Sequence, residues 1–323
     1  MPVGIFSKGI LKTVPYLEVF LEDRVVLNPK SPEGLTAVAG WGFKPTAKKA
    51  IKKAKEWNLP YLALEDGFIR SFGLGFEEPP LSLVIDPVGI YYDASKPSAL
   101  ENLLNSEGWE SPELLEKAEK LREVIINYEI SKYNNTKPLP KEFFEKFRGK
   151  EKILVIDQTQ GDMSVTLGGA SEIDFERMLE EATQISQNSV VFIKIHPDVL
   201  KGRKKGYLTK VKPSDRIVLI AENYNPISIL KNVDAVFTVS SQMGFEALLL
   251  EKEVHCYGIP FYAGWGLTKD KKTVERRKKK RNVLELLVAA YLLYPKYIDP
   301  IKKELCSVFD VIEYLRNRKG VLK

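Results

Sequence analysis

VFIKIHPDVL, Val191–Leu200, and VFTVSSQMGFEALLL, Val236–Leu250, decide how the rest of this chain reads. Each opens on a short apolar, β-branched run and turns polar where a buried strand should end. In the second, Ser240 and Ser241 stand at a strand-to-helix junction, and residues 242–250 read as the helix that follows. A helix start leaves its first backbone N–H groups without intrahelical partners, and its dipole favours an anion. The two serines therefore have two uses, capping that helix or holding a phosphate. His196, one of two histidines in the chain, closes the neighbouring strand. A His-Pro pair there can also be no more than the turn that proline imposes. Taken together, the two strand ends point to a phosphate or nucleotide site at the carboxyl edge of a parallel sheet.

Outward from these segments, strands and helices alternate. Downstream of residue 151, strands are expected at 152–156, 190–195, 216–220, 235–239 and 254–257, with helices at 173–186, 226–231 and 242–250. Upstream, a short strand near Gly4 is followed by strands at 36–39 and 61–64 and by helices after Thr46, at 98–108 and at 112–131. Residues 81–85 and 90–92 read as a β-hairpin over Asp86-Pro87. Residues 283–293 and 301–318 read as closing helices, and 138–150 as a linker. Alternating βαβα in both halves implies an α/β protein of two doubly wound domains with the ligand cleft between them. The divisions are 1–150, 151–290, and a tail, 291–323, that returns to the first domain.

At 323 residues the chain can build two domains of about 150 residues each. Its 44% hydrophobic and 28% charged content is ordinary for a globular protein. No apolar run approaches the ~20 residues of a membrane span, and no signal peptide opens the chain. Two cysteines without metal-ligand spacing, Cys256 and Cys306, suit a reducing, cytoplasmic setting. The net charge of +6 gathers in KGRKK, 201–205, and RRKKKR, 276–281. These runs read either as solvated loops or as contacts for an anionic membrane surface or ligand. Nucleic acid is disfavoured, because no basic stripe is interleaved with aromatics. Dinucleotide, P-loop, HExxH and GxSxG signatures are all missing.

Two carboxylates and an arginine, Glu65, Asp66 and Arg70, cluster after the strand at 61–64; they form either a reactive group or an ion pair that fixes a loop. Trp41 between Gly40 and Gly42 marks either a close ligand approach or a packed loop. The segment DQTQGDMSV, 157–165, leaves a strand end carrying Asp157 and Asp162. Asp157 has an obvious local use, accepting the amides that follow it; Asp162 shows none.

On LEDGFIRS, PPLSLVIDPVGIYYDASKPSALE, DQTQGDMSV, KIHPDVLKGRKKGY, SSQMGFEALL and YAGWGLT, the chain resembles the KpsC family of bacterial capsule enzymes. The likeness runs from about Gly4 to Leu315. Members are retaining β-Kdo transferases that use CMP-Kdo, Kdo being a 2-keto acid sugar, and typically carry two tandem modules. This chain resembles one module, of the N-terminal type. The resemblance implies a GT-B-like fold with CMP in the C-terminal half, held by His196-Pro197 and Ser240-Ser241 with Lys194 and Glu246 beside them. It implies double displacement through a covalent Kdo–Asp intermediate, with Asp162 ranked ahead of Asp157 as nucleophile. Glu65 or Asp66 then serves as base for the acceptor hydroxyl. Arg70 suits the Kdo carboxylate, and Gln158, Ser164 and Trp41 complete the sugar and acceptor site. No metal or cofactor is implied. The acceptor that the resemblance implies is a Kdo-primed (lyso)phosphatidylglycerol at the inner face of the cytoplasmic membrane, with other capsule proteins as further expected partners. A CMP-sialate-type transferase and a non-catalytic glycolipid-binding capsule protein are the alternatives.

Overall fold

The structure, a computed structural model, describes residues 2–75 and 77–321, excepting the side chains of Pro197 and Val321. The first part of the chain forms β1 (Val3–Ile5), α1 (Lys8–Thr13), α2 (Leu17–Leu21), β2 (Val25–Leu27), β3 (Ala37–Trp41), α3 (Lys48–Glu56), β4 (Tyr61–Asp66) and β5 (Ser82–Asp86), then α4 (Ala99–Asn105) and α5 (Pro112–Tyr128). Next come β6 (Glu151–Ile156), α6 (Met163–Leu167), α7 (Glu172–Gln184), β7 (Ser189–Lys194), α8 (Pro197–Leu200), β8 (Ile217–Ile220), α9 (Pro226–Leu230), β9 (Ala235–Thr238), α10 (Gln242–Leu249), β10 (Glu253–Cys256) and β11 (Lys269–Asp270). The chain closes with α11 (Val283–Leu287), β12 (Pro295–Asp299), β13 (Glu304–Cys306) and α12 (Val308–Val321).

Apolar runs such as Val190–Ile193 are buried because helices cover both faces of their sheet. That sheet is wholly parallel, in the order β8-β7-β6-β9-β10-β11. This is the strand order of a dinucleotide-type fold, which reverses between β6 and β9. The His-Pro strand, β7, and the Ser-Ser strand, β9, are therefore not neighbours as expected: β6 lies between them, and its own loop occupies the centre of the edge.

The other sheet runs β13-β12-β5-β4-β3-β1-β2. It is parallel from β2 through β4 and antiparallel from β4 through β13, so only part of it follows the expected doubly wound pattern. The hairpin over Asp86-Pro87 does not form. Asp86 instead accepts the N–H groups of Val88 (2.8 Å), Gly89 (2.9 Å) and Ala99 (3.0 Å), and this turns the chain away towards α4. β12, from the end of the chain, takes the free edge of β5. The helix expected at 301–318 starts late, because residues 304–306 pair back on β12. The helix at 283–293 is α11 followed by a π-helical turn, Val288–Leu293. The architecture is thus α/β of the GT-B kind: two Rossmann-like sheets with a cleft between.

Within Arg276–Arg281 the three arginines and Lys279 are tied to the fold, while Lys278 and Lys280 remain exposed. Arg276 and Arg277 both donate to the buried Glu101 carboxylate of α4, at 2.7 and 3.0 Å. Arg277 also reaches the carbonyls of Pro260 and Ala263, each at 2.6 Å. Arg281 donates to the carbonyls of Leu104 (2.8 Å) and Ser106 and pairs with Glu110; Lys279 pairs with Glu107. Guanidinium groups thus meet the unpaired carbonyls at the end of α4, where the dipole favours a cation. Removing one member of such a buried set leaves the others uncompensated, at about 3 kcal/mol or more. Glu101→Gln should accordingly lower unfolding free energy by about that amount, read as a shift in urea midpoint. An unchanged midpoint would mean the clasp contributes nothing.

Candidate active site

A cavity of about 420 Å³ lies between the sheets, lined from one side by Glu65, Asp66 and Lys132 and from the other by Asp162, His196 and Ser240. Its floor is built where the strand order reverses. Gln158, just after β6, spans to β9: its Nε2 donates to Ser240 Oγ (3.0 Å) and its Oε1 accepts the Ser240 N–H (2.9 Å). Ser164 Oγ lies 3.0 Å from Ser240 Oγ. The two serines divide the tasks left open by the sequence. Ser241 caps α10, accepting the Met243 N–H at 3.3 Å, while Ser240 faces the cavity network. The amino end of α10 is thus presented to the cleft.

His196 Nδ1 accepts the Asp198 N–H at 3.1 Å, so the neutral ring carries its proton on Nε2 as a donor. Burial lowers its pKa, with the Asp198 charge opposing. Lys194 donates to the Ile195 carbonyl at 3.0 Å, and burial brings its pKa down to about 8. Glu246 is buried rather than on the surface. Its Oε1 accepts from Ser131 Oγ (2.6 Å) and Gln242 Nε2 (3.2 Å), while its Oε2 has no partner. Burial raises its pKa to about 7. The Pro197 side chain lies outside the described residues.

The carboxylates differ in what holds them. Asp157 Oδ1 accepts three backbone N–H groups, from Gln158 (2.9 Å), Tyr207 (2.9 Å) and Leu208 (3.1 Å). Its Oδ2 is buried without a partner, and burial raises its pKa to about 6. Asp157 therefore ties the β6 loop to residues 206–208. Asp162 follows Gly161, whose φ of 82° makes the turn, and it does have a local role: its Oδ1 caps α6 through the Ser164 N–H at 2.9 Å. Its Oδ2 sits 3.5 Å from Gln158 Nε2. Burial raises the pKa of Glu65, with Lys44 opposing, and its Oε1 accepts the Asp66 N–H at 3.1 Å.

Arg70 is not available to a ligand. It is 1% exposed and donates to Ser71 Oγ (3.0 Å) and to the carbonyls of Glu78 (2.8 Å) and Gly75 (2.9 Å). Its Nε lies 2.9 Å from Asp66 Oδ2, close enough to pair by charge but off the hydrogen-bond axis. Trp41 packs against the core of the first sheet and does not line the cavity. The cavity cation missed in the sequence is Lys132, from an SKYNN loop whose composition carries no signal. Among the described residues, no group of three or more His, Cys, Asp or Glu is placed to hold a metal ion, and no helix is long and apolar enough to cross a membrane.

A family model described as capsule polysaccharide biosynthesis protein matches residues 36–145 and 144–299. The chain belongs to that family. Within it, the chain is a KpsC-like module: it is 58% identical to a solved structure titled Thermosulfurimonas dismutans KpsC, beta Kdo 2,4 transferase, with 98% of each chain covered and a TM-score of 0.94. A second KpsC structure from the same organism, titled beta Kdo 2,7 transferase, is 30% identical with a TM-score of 0.70, covering 98% of this chain and 99% of that one. The capsule polysaccharide modification protein LipA of Neisseria meningitidis serogroup A is 43% identical over 97% of this chain and 45% of its own length. The chain thus spans about half the length of the curated LipA relatives it matches.

Glu246 gives the capsule-family site a pH signature. Its folded pKa, about 7, lies above the ordinary value of 4.5, so its stabilising contribution is complete below pH 4.5 and is lost as pH rises through 7. Glu246→Gln removes that loss. The variant should gain on wild type between those values and level off about 3 kcal/mol ahead above pH 7, measured by denaturation across pH. A difference independent of pH would mean that Glu246 titrates normally.

Proposed function

We propose that the protein is a retaining β-Kdo transferase. It moves Kdo from CMP-β-Kdo onto a Kdo-primed (lyso)phosphatidylglycerol acceptor during synthesis of the capsule linker. The observation that carries this reading is the placement of Asp162: a carboxylate on the β6 loop, with the amino end of α10 on one side and the Glu65–Asp66 pair across the cleft. The identity of 58% to the 2,4 transferase, against 30% to the 2,7 transferase, favours a 2,4 linkage.

CMP occupies the C-terminal half. The α10 amino end, Ser240 Oγ and the Nε2–H of His196 stabilise the phosphate that leaves, and the unpartnered Glu246 Oε2 accepts a ribose hydroxyl. Asp162 attacks the anomeric carbon as the phosphate departs with the bonding electrons, giving a covalent sugar ester. The acceptor hydroxyl then attacks that carbon from the side CMP has vacated, the bond to Asp162 breaks with its electrons returning to the carboxylate, and the hydroxyl proton passes to a base. Glu65 suits this step better than Asp66: burial raises its affinity for a proton, whereas Asp66 is paired with Arg70. Two inversions leave net retention. No resident metal or cofactor takes part. The acceptor's lipid brings the protein to the inner face of the cytoplasmic membrane. Because the arginines of 276–281 are used internally, that contact falls to exposed lysines such as Lys48, Lys49 and Lys52 on α3.

Asp162→Asn separates chemistry from folding, since asparagine caps a helix as well as aspartate. The variant should fold and bind CMP but lose transfer by on the order of 10³-fold or more. Wild type given CMP-Kdo without acceptor should gain one Kdo mass on the peptide carrying Asp162. Near-normal turnover by the variant, or an adduct on another carboxylate, would refute the assignment. Greater turnover with a CMP-sialate donor would favour the sialyltransferase alternative.

A further inference from the structure

The cavity holds a cation that the Glu65–Arg70 segment positions but does not itself supply. The Lys132 carbonyl accepts the N–H groups of Arg70 (3.0 Å) and Ser71 (3.2 Å). Asn134 secures the same turn: its Oδ1 accepts the Ser131 N–H (3.1 Å), and its Nδ2 donates to the carbonyls of Ser131 (2.8 Å) and Ser71 (3.1 Å). From this fixed backbone the Lys132 side chain enters the cavity shared with Glu65, Asp66 and Asp162. Among the described residues its ammonium makes no hydrogen bond and no ion pair; the Tyr133 ring lies 6.0 Å away. Burial works against its charge, yet Tyr133, Asp66, Glu65 and Asp162 together hold its pKa above the ordinary value.

An ammonium in a partly desolvated cleft without a direct partner is costly unless a ligand completes it. The other lysines on the cavity are placed differently. Lys194 is spent on the Ile195 carbonyl and Lys204 is exposed; Lys44, which follows β3 and lies 5.8 Å over the Trp41 ring, is the comparison cation.

We infer that Lys132 binds the carboxylate of the transferred 2-keto acid sugar and makes the site selective for an acidic donor. This rests on the transferase reading above. In such a sugar the carboxylate is bonded directly to the anomeric carbon. Attack by Asp162 therefore brings two anions onto one carbon, and a cation between them removes the repulsion. Lys132 lines the same cavity as Asp162 and the Glu65–Asp66 pair, and all three carboxylates favour its charged form. Arg70, the cation expected from sequence, serves here as a positioning residue: it fixes the loop whose amides hold the Lys132 carbonyl.

The test compares CMP-Kdo with its analogue in which the carboxylate is reduced to hydroxymethyl. Turnover is measured on wild type, Lys132→Met, Lys132→Arg and Lys44→Met, and donor binding on Asp162→Asn with and without Lys132→Met. Wild type should prefer the acid by about 10- to 100-fold. Lys132→Met should lose most of that preference in kcat/KM and in binding, with CMP affinity unchanged. Lys132→Arg should recover part of it, and Lys44→Met should keep it. Equal losses on both donors, or a wild-type preference in Lys132→Met, would overturn the assignment while leaving the transferase intact. A wild type that does not turn over CMP-Kdo overturns both.

Discussion

Between β6 and β9 the order of the parallel sheet reverses, so the loops that leave these two strands must diverge. That divergence opens the crevice, and Gln158 bridges it by pairing with both the N–H and the hydroxyl of Ser240, with Ser164 Oγ 3.0 Å from the same hydroxyl. The rest of the site follows from this reversal. The β6 loop carries Asp162, the β9 loop delivers the start of α10, and β7 sets His196 alongside. Asp157, three of whose hydrogen bonds run to backbone amides, fixes the loop so that Asp162 can cap α6 and still line the cleft.

The opposite wall depends on charges buried at a distance from the chemistry. Glu101 gathers Arg276 and Arg277, and Arg281 closes the end of α4, so a loop from late in the chain is fastened to a helix from its first half. Arg70 does the same on a smaller scale, gathering Gly75, Glu78 and Asp66. Such groups persist because each charge has partners; without them burial would be prohibitive. By contrast, among the described residues the buried carboxylate oxygens without a partner belong to Asp66, Asp157 and Glu246, which all line the cavity.

The second sheet was legible because strands buried on both faces read as unbroken apolar runs, as in Val190–Ile193 and Ala235–Val239. The strand ends bearing His196 and Ser240, and the loop bearing Asp162, were legible for the same reason. What escaped the sequence depends on partners far along the chain. β12 pairs with β5 across about two hundred residues, and nothing local in Pro295–Asp299 announces it. RRKKKR looks like a solvated run because its partners, backbone carbonyls at the end of α4 and the glutamates Glu101, Glu107 and Glu110, lie 171 to 177 residues away in the chain. Arg70 beside two carboxylates looks like a ligand group because the carbonyls that occupy it carry no side-chain pattern. Trp41 read either as a close ligand approach or as a packed loop, and its core contact is the second of these. Lys132 sits in a polar loop indistinguishable from any other until folding sets it against Glu65 and Asp162.

The central claim is that the reversal between β6 and β9 forms a nucleotide site facing an enzyme carboxylate. A crystal structure with CMP bound tests it most directly. The account predicts the phosphate at the amino end of α10, hydrogen-bonded to Ser240 and to His196 Nε2, with a ribose hydroxyl turned towards Glu246 and Asp162 open to the space beyond the phosphate. CMP bound against the first sheet, or outside the cleft, would contradict it.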